Sequence, residues 1–327
     1  RSASRTRTGR KPRMKRKTRF PQKTSGINRS SLNQHLMQKL SRISIIAVGI
    51  AFMAVLAITR QAADNFPAAP SPIPPQFRDA SLFLGAINNS TIQPHAERIS
   101  GITVPHHLLA IDLIADLFIR ASQNHYSRVI VIAPDHFFLG KTPISVASRD
   151  LSTSFGVLKT DSKLVEQLLK IPSISSADFF YREHGIQAEL PFIKHFFPDI
   201  PVVAITIKEG THRDSVDQLV EALARTIDDQ TLIVQSTDFS HYLPSGEADK
   251  KDAETIQALT SGNPGRIYSL SEPAHLDSIA AQYVQTRLQS EFFKSRIRIV
   301  ARKNSQDYTE TPLQKTTSYI TQIYSPD

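Results

Sequence analysis

Four histidine-bearing stretches follow one another along the chain: V-P-H-H (Val104 to His107), A-P-D-H (Ala133 to His136), E-H-G-I-Q-A-E-L-P-F (Glu183 to Phe192) and S-T-D-F-S-H-Y (Ser236 to Tyr242). Three of them come directly after short apolar runs of strand character. Strands that end in His or Asp are how an α/β sheet collects reactive groups along one edge. Imidazole and carboxylate together suit two kinds of chemistry, holding a metal ion and moving protons near neutral pH.

His106 and His136 close the first two apolar runs. If those strands pair side by side in parallel, their carboxyl ends lie ~5 Å apart. Two imidazoles there share one ion at bond lengths near ~2 Å; a hydrogen-bonded structural histidine is the simpler use of each alone. His107 would point away from His106 if the strand continued, which suits packing or a pocket wall. Asp238 and His241 stand three residues apart, a spacing at which one turn brings both to one side. The carboxylate would then orient the imidazole and leave its other nitrogen as an acid or base; otherwise Asp238 caps a helix entrance. Glu183, His184, Gln187 and Glu189 form a polar cluster suited to a pocket rim or to a solvated helix start. Ser236 and Ser240 lie near His241, but no G-x-S-x-G elbow is present, which argues against a serine hydrolase.

The elements that must position these groups alternate. Strand-like runs occur at Arg98–Pro105, Arg128–Pro134, Ile144–Ala147, Ile200–Ile207 and Thr231–Gln235. Helical patterns occur near Leu108–Ser122, Thr160–Lys170, Glu189–Phe196, Arg213–Thr226, Glu247–Leu259 and Asp277–Leu288. Nearly all-aliphatic strands are buried on both faces. The expected fold is therefore α/β, a single large domain over 81–327 with a mixed, mostly parallel central sheet flanked by helices on both faces. Arg296–Ala301 and Thr317–Tyr324 alternate apolar and polar residues, as antiparallel strands at a sheet edge do. Asp161 is placed to cap one helix and Pro191 to open another.

The net charge of +9 hides a division. Residues 1–42 carry 14 Lys and Arg and no acid, whereas the remainder carries 25 bases against 30 acids. Such a tail is too polar to pack a core and reads as disordered. It serves as a topology signal that also rests on anionic lipid, and nucleic acid is an unlikely partner because the aromatic interleaving of single-strand sites is missing. Ile43–Ile58 is a 16-residue run whose only polar member is Ser44, bracketed by Arg42 and Arg60. As a helix it would span ~24 Å at ~1.5 Å per residue, a little under the ~30 Å hydrocarbon core. We read 43–60 as a membrane anchor, with a cleaved signal peptide and a buried core helix as alternatives. The positive-inside bias then keeps the N-terminus cytoplasmic and the main domain outside, in a single-pass arrangement. The stretch at 61–80, with five prolines between Gln61 and Gln76, reads as a semi-rigid linker. The chain has no cysteine, which excludes disulfides, Cys-ligated zinc and a thiol nucleophile and leaves His, Asp and Glu to hold any metal.

Taken in order, the four motifs resemble the MEMO-like family, also called AmmeMemoRadiSam system protein B, over roughly Gly101–Ser325. The most specific stretches are S-T-D-F-S-H-Y-L-P with the following K-K-D-A-E-T-I-Q-A-L (Lys250–Leu259), and E-H-G-I-Q-A-E-L-P-F-I. That family looks distantly related to the class III extradiol dioxygenases, whose mononuclear iron is held by two His and a carboxylate. The resemblance matches His106 to the family's P-H-A-G-Y motif, His136 to G-P-x-H, and Asp238 with His241 to S-S-D-x-S-H, whose His is the acid–base group. The chain departs from the pattern in three places. P-H-A-G-Y reads Pro105–Leu109 without the Gly, the Glu and Gln positions of the third motif read Gln187 and Glu189, and the usual Cys-Gly stretch reads Pro273–Ser278 without Cys. His275 or Asp277 would replace that cysteine as a ligand, and Asp277 would complete a two-His, one-carboxylate set; it also suits a helix N-cap.

The resemblance implies a mononuclear metal, iron or copper, on His106, His136 and Asp277. His241 and Asp238 would be catalytic, and Glu183, His184, His107 and His275 would lie around the pocket. It also implies a radical-SAM system partner, from which an outward-facing anchored domain would be separated. Three functions fit: a metal-dependent, dioxygenase-like oxidoreductase; an inactive module binding a peptide or small molecule in the same cleft; and hydrolysis of a small amide or ester by metal-bound water.

Overall fold

The computed structural model describes residues 29–64, 70–93 and 97–326. They form two units, divided between Ala69 and Pro70. In the first unit, helix α1 (Arg29–Asp64) is longer than the apolar run that announces it and takes in residues 29–42, expected as tail; residues 1–28 lie outside the described residues. Its apolar side chains are exposed along Asn33–Ala57.

The second unit begins at Pro70, earlier than the expected boundary at 81. Part of the expected linker is packed rather than free: Ile73 is fully buried, and its backbone bridges Leu151. A lone isoleucine among prolines gains roughly 1.5–3 kcal/mol by leaving water, and proline preorganises the extended backbone that lets it dock.

The strands are β1 (Gly101–Val104), β2 (Arg128–Pro134), β3 (Ile144–Val146), β4 (Leu151–Thr153), β5 (Gly156–Leu158), β6 (Ile174–Ser176), β7 (Val202–Ile207), β8 (Thr231–Ser236), β9 (His241–Leu243), β10 (Ser295–Asn304) and β11 (Thr316–Pro326). Nine of them form one mixed sheet in the order β10-β11-β1-β8-β2-β7-β3-β6, with β9 added on β11; β4 and β5 make a separate hairpin. The four central strands β1, β8, β2 and β7 run parallel. β10 and β11 add antiparallel beside β1, as their alternation implies. One expectation fails: β1 and β2 are not neighbours, because β8 lies between them. Sequential strands are neighbours only about two-thirds of the time, and nothing local in either strand encodes its neighbour.

Helices α2 (Ala80–Asn89), α3 (Ile111–Ala121), α4 (Ser162–Leu168), α5 (His184–Gln187), α6 (Leu190–Phe196), α7 (Arg213–Ala224), α8 (Ser245–Leu259) and α9 (Ile279–Arg287) complete the unit. Alternate residues of the buried strands face opposite cores. Ile130, Ile132, Val203 and Ile205 pack with α4, α7 and α9, while Val129, Val131, Ala204 and Val234 pack with α3 and α6. Asp161 caps α4 through the Leu164 N–H at 3.0 Å, and Pro191 sits in the first turn of α6, both as expected.

α9 and the π-helical turn that follows it (Leu288–Phe292) meet β1 and the residue before it through glutamines. Gln289 donates to the Ser100 carbonyl (3.2 Å) and Gln285 to that of Ile102 (3.2 Å). This close seating needs Gly101: a Cβ there would lie 2.2 Å from the Gln289 amide nitrogen and 2.8 Å from that of Gln285. The same seating holds the far end of α9, whose N-cap Ser278 directly follows Asp277. Gly101→Ala is expected to lower stability by roughly 1–3 kcal/mol through overpacking, read as a lower urea midpoint at unchanged slope; an unchanged midpoint would show that the glutamines give way freely.

Candidate metal centre

The parallel strands deliver their chemistry at their carboxyl ends. Pro105 has no N–H to continue the β1 ladder, and the chain leaves the sheet at His106. There the His106 N–H donates to Asp238 Oδ1 (3.1 Å), and the Thr237 N–H to the Val104 carbonyl (2.9 Å). The end of β8 therefore sits between the two histidine-bearing strand ends and ties to one of them. Although β1 and β2 are not adjacent, the rings of His106 and His136 still meet edge to face, with centroids 4.7 Å apart.

His184, on the first turn of α5, joins them. Its ring centroid lies 4.1 Å from that of His136 and 4.9 Å from that of His106. One ring nitrogen from each of the three lies within 4.8 Å of the others. Asp277 Oδ2 lies 3.2 Å from His106 Nε2 and 3.6 Å from His136 Nε2. Donors each near ~2 Å from one ion stand roughly 3–3.5 Å apart, so these residues fit a shared cation. The Asp277 side chain is 9% exposed and does not cap α9; Ser278 does, through the Ala281 N–H at 3.1 Å. The Asp277 carboxylate instead accepts from the Thr237 hydroxyl and from the Asp238 N–H (3.1 Å).

Buried partners hold the rings with Nε2 facing inward. Glu183 is fully buried; its Oε1 meets His136 Nδ1 at 2.6 Å and its Oε2 accepts the His136 N–H at 3.0 Å. Nδ1 therefore carries a proton and Nε2 is turned toward Asp277, the orientation that fixes metal-binding histidines. Glu183 also caps α5 through the Gly185 N–H (3.1 Å). Gly185 lets that turn approach: a Cβ there would come 3.0 Å from the Ala133 methyl and 3.3 Å from the His136 ring. On the other side His106 Nδ1 lies 3.2 Å from Ser236 Oγ, which in turn donates to Glu189 Oε1 (3.4 Å). Burial raises the Glu189 carboxyl well above its ordinary range, and the nearby Asp238 adds to this against the Ser236 hydrogen bond. Gln187 serves structure, accepting the Gln76 N–H and donating to the Phe180 carbonyl.

Burial opposes a charged His136, but Asp277 and Glu183 outweigh it and push the ring up to about 10. His106 is likewise raised: burial opposes its charge, and Asp238 and Asp277 overcome that. Burial, then the charges of His106 and His136, drive His184 down to about 3. Asp277 is held well below its usual range, because the two imidazoles beside it overcome its burial. In the metal-free protein protons take up the charge that a cation would carry.

The centre opens into a cavity of about 560 Å³ walled by Phe77, His107, Phe137, His184, His241 and Tyr242, among others. A smaller one of about 270 Å³ reaches Asp277, His136, Glu272 and His241 from beneath. Burial pushes Glu272 up to about 7. His107 lies on the cavity wall with Nδ1 2.7 Å from the Tyr319 hydroxyl, as its position beside His106 implies. His241 borders both cavities, and its Nδ1 is buried without a hydrogen-bond partner.

Two expectations are corrected. Asp238 does not orient His241; its carboxylate is held by the His106 N–H and faces His106 Nε2 at 3.7 Å. Buried Phe239 anchors the turn after β8, so Asp238 points toward β1 while His241 is carried onto β9 beside β11. His275 is neither ligand nor pocket residue. Its Nδ1 meets Ser271 (2.9 Å to the hydroxyl) and its Nε2 meets Glu254 (2.8 Å), which makes it a structural pin of the loop before α9. His184 is the residue sequence reasoning underrated; its signal was an acid–His–Gly triplet opening a helix.

A family model described as Memo-like protein matches residues 76–323. The chain belongs to this family. A MEMO1 family protein of Aquifex aeolicus is 35% identical over 147 residues, covering 43% of this chain and 54% of its own length. The MEMO1 family protein MMP1387 of Methanococcus maripaludis is 29% identical over 182 residues, covering 52% and 63% respectively. The chain thus spans a little over half to under two thirds of these relatives. The crystal structure of uncharacterized protein JW3007 from Escherichia coli K12 overlaps 69% of this chain and all of its own, at 15% identity and a TM-score of 0.44.

The charges make a pH-dependent prediction for chelator-treated protein. Because His136 is raised above its unfolded value near 6.5, its ion pairs stabilise fully below pH ~6.5 and lose that effect as pH climbs toward about 10. His184 is lowered to about 3, so stability falls as pH drops from ~6.5 and the unfolded chain takes up the proton. The gap in melting temperature between the parent and His136→Gln is expected to be widest near pH 6.5 and to close on the alkaline side. A gap constant to pH 10 would show that His136 makes no such pairs.

Proposed function

We propose that this Memo-like protein binds a mononuclear iron or copper ion and acts as a dioxygenase-like oxidoreductase. His106, His136 and Asp277 would hold the ion, with His184 as a further imidazole donor. The observation that carries this reading is the convergence of two Nε2 atoms and Asp277 Oδ2 at 3.2 and 3.6 Å, each held by a buried partner. When bound, the ion would supply redox chemistry and Lewis acidity at the floor of the larger cavity.

The chain's own residues do the remainder. Glu183 and the Ser236–Glu189 pair engage both Nδ1 atoms and so aim both Nε2 atoms inward, where an ion would displace their protons. Phe77, Phe137 and Tyr242 wall the cavity and limit water. His241, which lines that cavity, takes or gives a proton to a ligand seated there. Asp238 acts on His106 rather than as a proton-transfer group. α1 anchors the protein in a membrane; the long, exposed apolar window Asn33–Ala57 supports this reading.

Two measurements check the reading. Elemental analysis of the purified full chain is expected to find close to one iron or copper per chain, falling to background in the His106→Ala/His136→Ala double variant. His241→Gln is expected to keep the metal while lowering turnover of the loaded protein by roughly 10²–10⁴-fold. Metal retained in the double variant would refute the ligand set. Full metal with no turnover in the parent would favour a binding module for a peptide or small molecule in the same cleft.

A further inference from the structure

Phe137 and Tyr242 edge the larger cavity, and the adjacent Phe138 and Leu139 line adjoining cavities; all four are left uncovered. His136 is followed directly by Phe137, Phe138 and Leu139, which are 44, 56 and 42% exposed, and across the opening Tyr242 is 64% exposed. Soluble surfaces seldom cluster large apolar groups without a use. These are held outward rather than left loose. The buried Asp135 carboxylate accepts the N–H groups of Leu139 (3.1 Å) and Gly140 (2.8 Å), and Lys208 Nζ donates to the Gly140 carbonyl (2.5 Å). Phe138 and Tyr242 take φ of 54° and 60°, a region side-chain-bearing residues seldom adopt. A loop pinned in that conformation presents its aromatic groups to something outside the unit.

Cations accompany them. The Arg182 guanidinium lies 5.6 Å from the Phe137 ring centre, and Arg182 and Lys141 line a neighbouring cavity with Leu139, Tyr181 and Pro70. Arg149 in the same cavity is already paired with Asp178. Aromatic rings mixed with Lys and Arg are the composition of a surface that sits at lipid headgroups. Pro70 is also the first residue of the globular unit, thirteen positions after Ala57, where the apolar window of α1 ends. That length of chain reaches at most about 45 Å even when fully extended.

We propose that the rim formed by Phe137, Phe138, Leu139, Tyr242, Lys141 and Arg182 docks on the surface of an anionic bilayer, so that the centre opens at the membrane interface. This rests on the reading of α1 as a membrane anchor, and its ligand would then be an amphipathic molecule that partitions to that interface.

The chain has no cysteine, so Leu139→Cys provides a unique spin-label site in the full chain. In nanodiscs of phosphatidylcholine with phosphatidylglycerol, accessibility of the label to oxygen is compared with accessibility to a water-soluble nickel chelate. Thr260→Cys supplies the aqueous reference; Thr260 shares a cavity with Tyr324, which pairs with Gly101 at the far end of β1. Gly49→Cys in α1 supplies the lipid reference. The oxygen-to-nickel ratio at position 139 is expected to exceed that at 260 several-fold and to fall when phosphatidylglycerol is omitted. Equal ratios at 139 and 260 would overturn the docking, whatever position 49 reports. An aqueous signal at 49 would overturn the anchor separately, and a ratio at 139 indifferent to phosphatidylglycerol would remove the role of the two cations.

Discussion

A single carboxylate, on a side chain only 9% exposed, joins the parts of this protein. Asp277 takes a hydrogen bond from Thr237 and another from the Asp238 backbone, and it faces both His106 and His136. It thereby links the ends of β1, β8 and β2 to the start of α9. A carboxylate out of water is costly unless it is paired and hydrogen-bonded, and every one of its partners comes from a distant stretch of chain. The glutamines that seat the far end of α9 against Ser100 and Ile102, and the Gly101 approach that permits it, tie the same helix to β1.

The supporting shell has the same logic on each side. Glu183 locks His136, and Ser236 with Glu189 locks His106, so the ring orientations are set in the free protein. Three carboxylates, Asp277, Glu183 and Asp238, gathered against the imidazoles leave unbalanced charge, which protons neutralise in the free protein and a cation would neutralise in a loaded one. Competition between protons and metal is therefore built into the packing. The apolar rim above has a separate origin, since its exposed residues contribute nothing to the core.

Much of this was legible in the sequence where local physics decides. Aliphatic runs announced the central strands, Asp161 and Pro191 announced helix starts, and the strand-end positions of His106 and His136 announced the site. What was hidden depends on non-local topology. No residue in β1 or β2 says that β8 lies between them, and that insertion brings Asp238 to His106 and separates it from His241. His184 and His275 looked alike as histidines beside acids; burial of Glu183 behind His136 draws the first inward, whereas Ser271 and Glu254 hold the second outside. Ile73 was read as linker because its neighbours are prolines, although its own side chain belongs to the core.

The most direct measurement of the central claim is anomalous diffraction from crystals of the globular unit grown with iron or copper, collected across the metal's absorption edge. The account predicts one anomalous peak within bonding distance of His106 Nε2, His136 Nε2 and Asp277 Oδ2, with Glu183 still on His136 Nδ1. A peak elsewhere, or no peak while the imidazoles keep their present contacts, would contradict it.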